Sequence, residues 1–131
     1  MITLKTLPDA TAQEVFDQVA KHMLKQQSQS MRNSSCAYRG NDGKMCAAGC
    51  LIADDEYNIG MDGGPSEGGR QWDSLVNDDE VPNAHQNLIE ALQAVHDGVD
   101  PEKEGLQLWI TDLRDIAKDY DLNADVLNGA S

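Results

Sequence analysis

The stretch Asp100-Pro101-Glu102-Lys103-Glu104-Gly105-Leu106-Gln107-Leu108-Trp109-Ile110-Thr111-Asp112-Leu113-Arg114-Asp115-Ile116-Ala117-Lys118-Asp119-Tyr120 decides the fold class. Asp100 offers a side-chain acceptor at a helix start, and Pro101 fills the first helical position, where its missing N–H costs nothing. Leu106, Trp109, Ile110, Leu113, Ile116, Ala117 and Tyr120 then recur at the spacing of one helical face. Asp112, Asp115 and Asp119 occupy the opposite face, with Glu102 and Glu104 nearer the start. An apolar stripe of that width needs other elements to cover it.

The segment before it supplies one. Asn83 can cap a helix in which Leu88, Ile89, Leu92, Val95 and His96 share a face, and Gly98 sits where a left-handed C-terminal residue is wanted. Trp72, Leu75 and Val76 predict a further helical turn, closed by Asp78-Asp79-Glu80 and Pro82. Near the N-terminus, Thr11-Ala12-Gln13-Glu14 has capping-box spacing. Phe16, Val19, Ala20, Met23 and Leu24 follow on one face, so a helix is predicted from about residue 11 to 27.

The middle of the chain is less regular. Gln26 to Ser35 is polar and reads as a loop. In Cys36-Ala37-Tyr38-Arg39-Gly40-Asn41-Asp42-Gly43-Lys44-Met45-Cys46, the Asn-Asp-Gly cluster tolerates positive φ and predicts two short strands closing on a turn at 40–43. Ala47 to Ile52 suits a short helix packed closely against another backbone, with a buried strand as the competing reading. Residues 54–69 hold five glycines, one proline and five acids, which predicts a flexible, exposed acidic loop over about 54–70. The expectation is an α+β fold: one mostly helical domain, residues 1–131, with a small β-hairpin.

A chain of 131 residues with 40 % hydrophobic content suits one packed domain. No apolar run approaches the roughly 20 residues of a membrane helix, and the N-terminus lacks a secretory pattern, so a cytoplasmic setting is expected. Cys36, Cys46 and Cys50 are an odd number of cysteines, which argues for reduced thiols rather than a disulfide framework.

The segment from Cys36 through Cys46-Ala47-Ala48-Gly49-Cys50-Leu51-Ile52, the helix before it and the later Leu92-Gln93-Ala94-Val95-His96-Asp97 resemble a family of small uncharacterised proteins of bacteriophages and bacterial genomes. The resemblance covers roughly residues 11–118, and Cys-Ala-Tyr-Arg-Gly is its most specific part. It implies a phage-type accessory protein, working in the host cytoplasm, and brings no activity, cofactor or catalytic residue with it. Members often carry Ala where this chain has Cys50, which weakens any site that needs all three thiols.

Several chemistries can be weighed on the residues alone. Zinc takes four thiolate or imidazole ligands, which Cys36, Cys46, Cys50 and His96 (or His85) could supply, although the paired Cys-x-x-Cys knuckles of common structural sites are missing. If 46–50 is helical, Cys46 and Cys50 share a face; the alternative is small buried hydrophobes under the hairpin. A cysteine nucleophile would need His22, His85 or His96 as its base, and nothing local pairs them. His96 reads as a partly buried structural histidine, and His22 and His85 as solvated. The acids of 54–67 lack the ligand order of a calcium loop, and no phosphate-cradling glycine pattern occurs. Trp109 reads as core, whereas Trp72 could equally anchor a partner.

Charge is the remaining signal. Residues 1–50 carry six Lys/Arg and four acids, whereas residues 51–131 carry four Lys/Arg and nineteen acids, within a total of −13. A one-sided field of this kind selects cationic partners and repels nucleic acid and anionic membrane. The candidate surface comprises Asp54, Asp55, Glu56, Asp78, Asp79, Glu80, Asp97, Glu102, Glu104, Asp112, Asp115 and Asp119. Regularly placed carboxylates on a rigid helix imitate the charge spacing of a nucleic-acid backbone. The expected function is binding to a basic host protein, by which a nucleic-acid-handling or defence complex would be inhibited. General solubility is the plainer explanation of the same charge. A zinc-stabilised module and a Cys/His enzyme are the alternatives.

Overall fold

The computed structural model describes residues 1–32, 35–63 and 70–128. Its first long element, α1 (Ala12–Gln26), starts at the expected capping box: the Glu14 amide donates to the Thr11 hydroxyl at 3.1 Å, and the Thr11 amide donates to the Glu14 carboxylate at 2.9 Å. It ends at Gln27, which takes left-handed φ 55° and donates its amide to Met23. Two-residue strands β1 (Met31–Arg32) and β2 (Ser35–Cys36) pair antiparallel, Met31 opposite Cys36. Then come a 3-10 turn at Asn41–Gly43, a 3-10 helix at Ala48–Leu51 and another at Ile59–Asp62. The chain closes with α2 (Trp72–Asn77), α3 (Gln86–Gly98), α4 (Pro101–Glu104), α5 (Leu106–Asp119) and a final 3-10 turn at Asp125–Leu127. The fold is thus a mostly helical α+β domain with one small antiparallel hairpin.

α3 lies against α1, α2 and α5, and α1 also touches α5 and the 3-10 helix at Ala48–Leu51. The core at this junction holds Phe16, Val19, Met23, Leu88, Leu92, Trp109 and Leu113, each at most 2 % exposed. Burying each of these large apolar side chains contributes about 2 kcal/mol. The Trp109 ring stacks on His96 at 5.7 Å, and its indole N–H donates to the Val99 carbonyl at 2.9 Å.

Several local expectations are corrected. The hairpin lies earlier than predicted: the strands pair at 31–36, and 41–43 forms a tight 3-10 turn closed by Gly40 N–H donating to Lys44 O at 2.8 Å. The helix at 86 starts after His85, whose φ is 57°, rather than at Asn83. Gly98 is its last residue and does not turn left-handed; extended Val99 ends it. Gly105, at φ 104°, breaks the long C-terminal helix into α4 and α5. Tyr120 is exposed rather than part of the stripe. The short helix expected at 47–52 is present at Ala48–Leu51. Within the segment read as an exposed loop, Met61 and Asp62 are buried, and 64–69 lie outside the described residues. No helix among the described residues is long and apolar enough to cross a membrane.

Candidate functional site

Where the hairpin meets the end of α3, three side chains of different chemistry converge. The Cys36 sulfur, a His96 ring nitrogen and an Asp97 carboxylate oxygen all lie within 4.8 Å of one another. His96 is fully buried and Asp97 is exposed. Both imidazole nitrogens are engaged. The Ser30 amide donates to Nε2 at 3.1 Å, so the ring proton sits on Nδ1 and donates to Asp97 Oδ1 at 2.7 Å. Gln93 donates to the same carboxylate oxygen at 2.8 Å and accepts from the Ala48 amide at 2.9 Å, tying α3 to the 3-10 helix at Ala48–Leu51. Cys36 and Asp97 open into a small cleft also lined by Tyr38, Cys46 and Trp72.

The metal set expected from sequence does not assemble. Among the described residues, neither Cys46 nor Cys50 joins Cys36 and His96 within 4.8 Å; Asp97 takes the third place. The buried Cys46 sulfur accepts from the Gly49 amide at 3.2 Å, and Cys50 donates to Ala47 O at 3.2 Å. Nδ1 ligation by His96 would move its proton to Nε2, against the Ser30 N–H.

The thiols are held as thiols. Burial, reinforced by the Asp97 carboxylate, pushes Cys36 up to about 12. Burial pushes Cys50 up to about 12 and Cys46 well above its ordinary value. Their thiolate fraction at neutral pH is therefore small, which weighs against a Cys/His nucleophile. His22 and His85 are partly buried rather than solvated: their Nε2–H groups donate to Met45 O at 2.8 Å and Ala10 O at 2.7 Å. Burial lowers the His22 pKa below 6.5.

These shifts set the pH dependence of stability. As pH falls below about 6.5, the unfolded chain protonates at His22 before the folded one does, so stability drops. At the alkaline end the unfolded thiols ionise first, so stability falls as pH rises from about 8.5 toward 12. The urea midpoint is expected to be flat between about pH 7 and 8 and to decline on both sides. A series of urea titrations checks this, and a midpoint rising above pH 9 contradicts it.

The acidic candidates separate into two groups. Asp78 and Glu80 clasp Arg70, the latter at 2.5 Å; Asp54 pairs with Arg39 at 3.2 Å; Glu102 lies 3.8 Å from Lys44. Glu56 accepts from the amides of Leu4, Lys5 and Ala53, and Glu104 from the amide of Asp100. Asp97 is occupied as described. On α5, by contrast, Asp112, Asp115 and Asp119 form no ion pair among the described residues. Neither do Asp55 and Asp79, which are not part of that helix. Leu108, 43 % exposed, continues the row of Asp112, Asp115 and Asp119 at the same helical spacing. Trp72, the possible anchor, is buried at 2 % exposure.

Comparison with protein-family models, curated proteins and solved structures finds no match to this chain.

Proposed function

We propose that this chain is a phage-type accessory protein that binds the basic surface of a host protein through the outer face of α5, inhibiting a nucleic-acid-handling or defence complex. The observation that carries the reading is the row Leu108, Asp112, Asp115 and Asp119: an exposed apolar residue leading three carboxylates with no ion-pair partner among the described residues. Folding alone does not favour that row. Asp115 and Asp119 sit four residues apart as like charges, and both lie toward the C-terminal end of α5, where the helix dipole disfavours negative charge. A solubility role would be served as well by carboxylates near helix starts, where they also stabilise. Leu108 gives the charged row an apolar contact that a partner can desolvate.

The test is capture of a host protein by the wild-type chain at low and high salt, followed by affinity measurement with the identified partner. Asp112→Lys, Asp115→Lys and Asp119→Lys together are expected to weaken binding by at least about tenfold, because steering and contact are lost together. The same triple variant should melt no lower than wild type, since Lys at positions 115 and 119 suits the helix end better than Asp. Binding unchanged by both salt and the triple reversal would sink the proposal.

A further inference from the structure

The hairpin brings a second sulfur to the Cys36 cluster. Met31 stands directly opposite Cys36 in the strand register, and their sulfurs lie 3.6 Å apart, the thiol donating to the thioether. The Asp97 carboxylate flanks the same thiol within 4.8 Å. His96 and Gln93 both donate to Asp97 Oδ1, fixing the carboxylate beside Cys36. Met31 and Cys36 are each partly exposed and Asp97 is exposed.

Donor type decides which ion fits. Calcium and magnesium require oxygen shells, and two sulfurs with one carboxylate do not supply one. Zinc binds thiolate, imidazole and carboxylate, but it gains little from a thioether, and His96 has no free lone pair to offer. Thiolate with thioether is a donor pair that selects Cu(I).

From this juxtaposition we propose that Met31 and Cys36 supply two soft ligands for Cu(I) beside the Asp97 carboxylate, with His96 as a positioning residue that holds that carboxylate. Binding exchanges the thiol proton for the metal: the S–H bond breaks, a sulfur–copper bond forms, and the proton leaves to solvent with no change of oxidation state. Because binding releases a proton, affinity rises with pH.

The experiment uses the full chain under anaerobic conditions, with Cu(I) supplied as its complex with a chromogenic chelator and the methionine methyl groups followed by NMR. The expected result is one Cu(I) taken per chain, with a shift of the Met31 methyl signal while those of Met23, Met45 and Met61 stay in place. Cys36→Ser should abolish uptake, Met31→Leu should weaken it about tenfold or more, and Cys50→Ser should leave it unchanged. Met31→Leu keeps the side-chain volume, so its loss reads on the sulfur rather than on folding. Uptake that survives Cys36→Ser, or a Met31 methyl that does not move on saturation, overturns the proposal. So does zinc uptake in preference to Cu(I). The site lies on the hairpin and α3 rather than on α5, so its failure leaves the acidic-face reading standing.

Discussion

Asp62→Ala is expected to destabilise the protein by about 3–5 kcal/mol, a large part of the stability of a domain this size. Asp62 is fully buried, and its carboxylate does the work of a missing strand. Oδ1 accepts from the Tyr38 amide at 2.8 Å, and Oδ2 accepts from the Arg39 amide at 3.3 Å and the Tyr57 hydroxyl at 2.6 Å. Truncation leaves the buried Tyr38 amide, and the partly buried Arg39 amide and Tyr57 phenol, without their acceptor, and a fully buried orphan of this kind costs about 1–3 kcal/mol. The damage spreads through Arg39, whose guanidinium donates to Gly49 O at 3.0 Å and Ile52 O at 2.5 Å and lies 5.0 Å over the Tyr57 ring. Asp62→Asn should cost less, since its amide oxygen can still serve the Tyr38 N–H while its NH2 faces the other donors. Urea unfolding of both variants measures this; a loss below about 1 kcal/mol in the alanine variant would show that the node is not a fold determinant.

That node also explains where the sequence was legible and where it was not. α1, α3 and α5 are announced by local signals, a capping box for α1 and stripes at helical spacing for all three, and Asp100 before Pro101 announces α4; each stripe is buried against the others. The hairpin is displaced because the donors of residues 37–39 have partners that no local pattern reveals. The Ala37 amide donates to Ser30 O at 3.0 Å, and the next two go to Asp62, more than twenty residues away. Asn41-Asp42-Gly43 did signal positive φ, at 61° for Asp42 and 75° for Gly43, but a turn does not make a ladder when the flanking amides are engaged elsewhere. Asp62 itself carried no signal, sitting among acids and glycines that read as solvated.

The Cys36 site was half visible for a similar reason. His96 and Asp97 are neighbours on a helix, and adjacent helical residues do not share a face, so the sequence assigned one to the core and the other to the acidic surface. The hairpin arrives across the end of α3 and touches both. Met31 could not be connected to Cys36 without the register, because residues 26–35 read as loop. The acidic face fared better: the row Asp112, Asp115, Asp119 follows from helical spacing alone. Its separation from the acids clasped by Arg70, Arg39 or backbone amides required the tertiary contacts.

The second large effect is expected at Gly49. An alanine Cβ there would lie 2.6 Å from the Tyr38 carbonyl oxygen and 3.3 Å from its carbon, and these are main-chain atoms that no side-chain rotation can move aside. The 3-10 helix at Ala48–Leu51 must therefore retreat from the Tyr38 backbone, which strains the Arg39 bond to Gly49 O and the Gln93 bond to the Ala48 amide. Overpacking of this kind costs about 1–3 kcal/mol, and the lost hydrogen bonds add to it, so Gly49→Ala should lower stability by about 2–4 kcal/mol. Both Gly49 and Asp62 act on the Tyr38–Arg39 backbone, so their effects should not add: the double variant is expected to lose less than the sum of the two single losses. Strict additivity in that cycle would mean that the two residues hold separate parts of the fold. In the proposed mode of binding, α5 lies outside this damage, because it packs on α3, α4 and α1. The folded fraction of the Gly49→Ala chain should then bind a cationic partner with wild-type affinity, which separates the structural role of the Cys-Ala-Tyr-Arg-Gly segment from recognition by the acidic face.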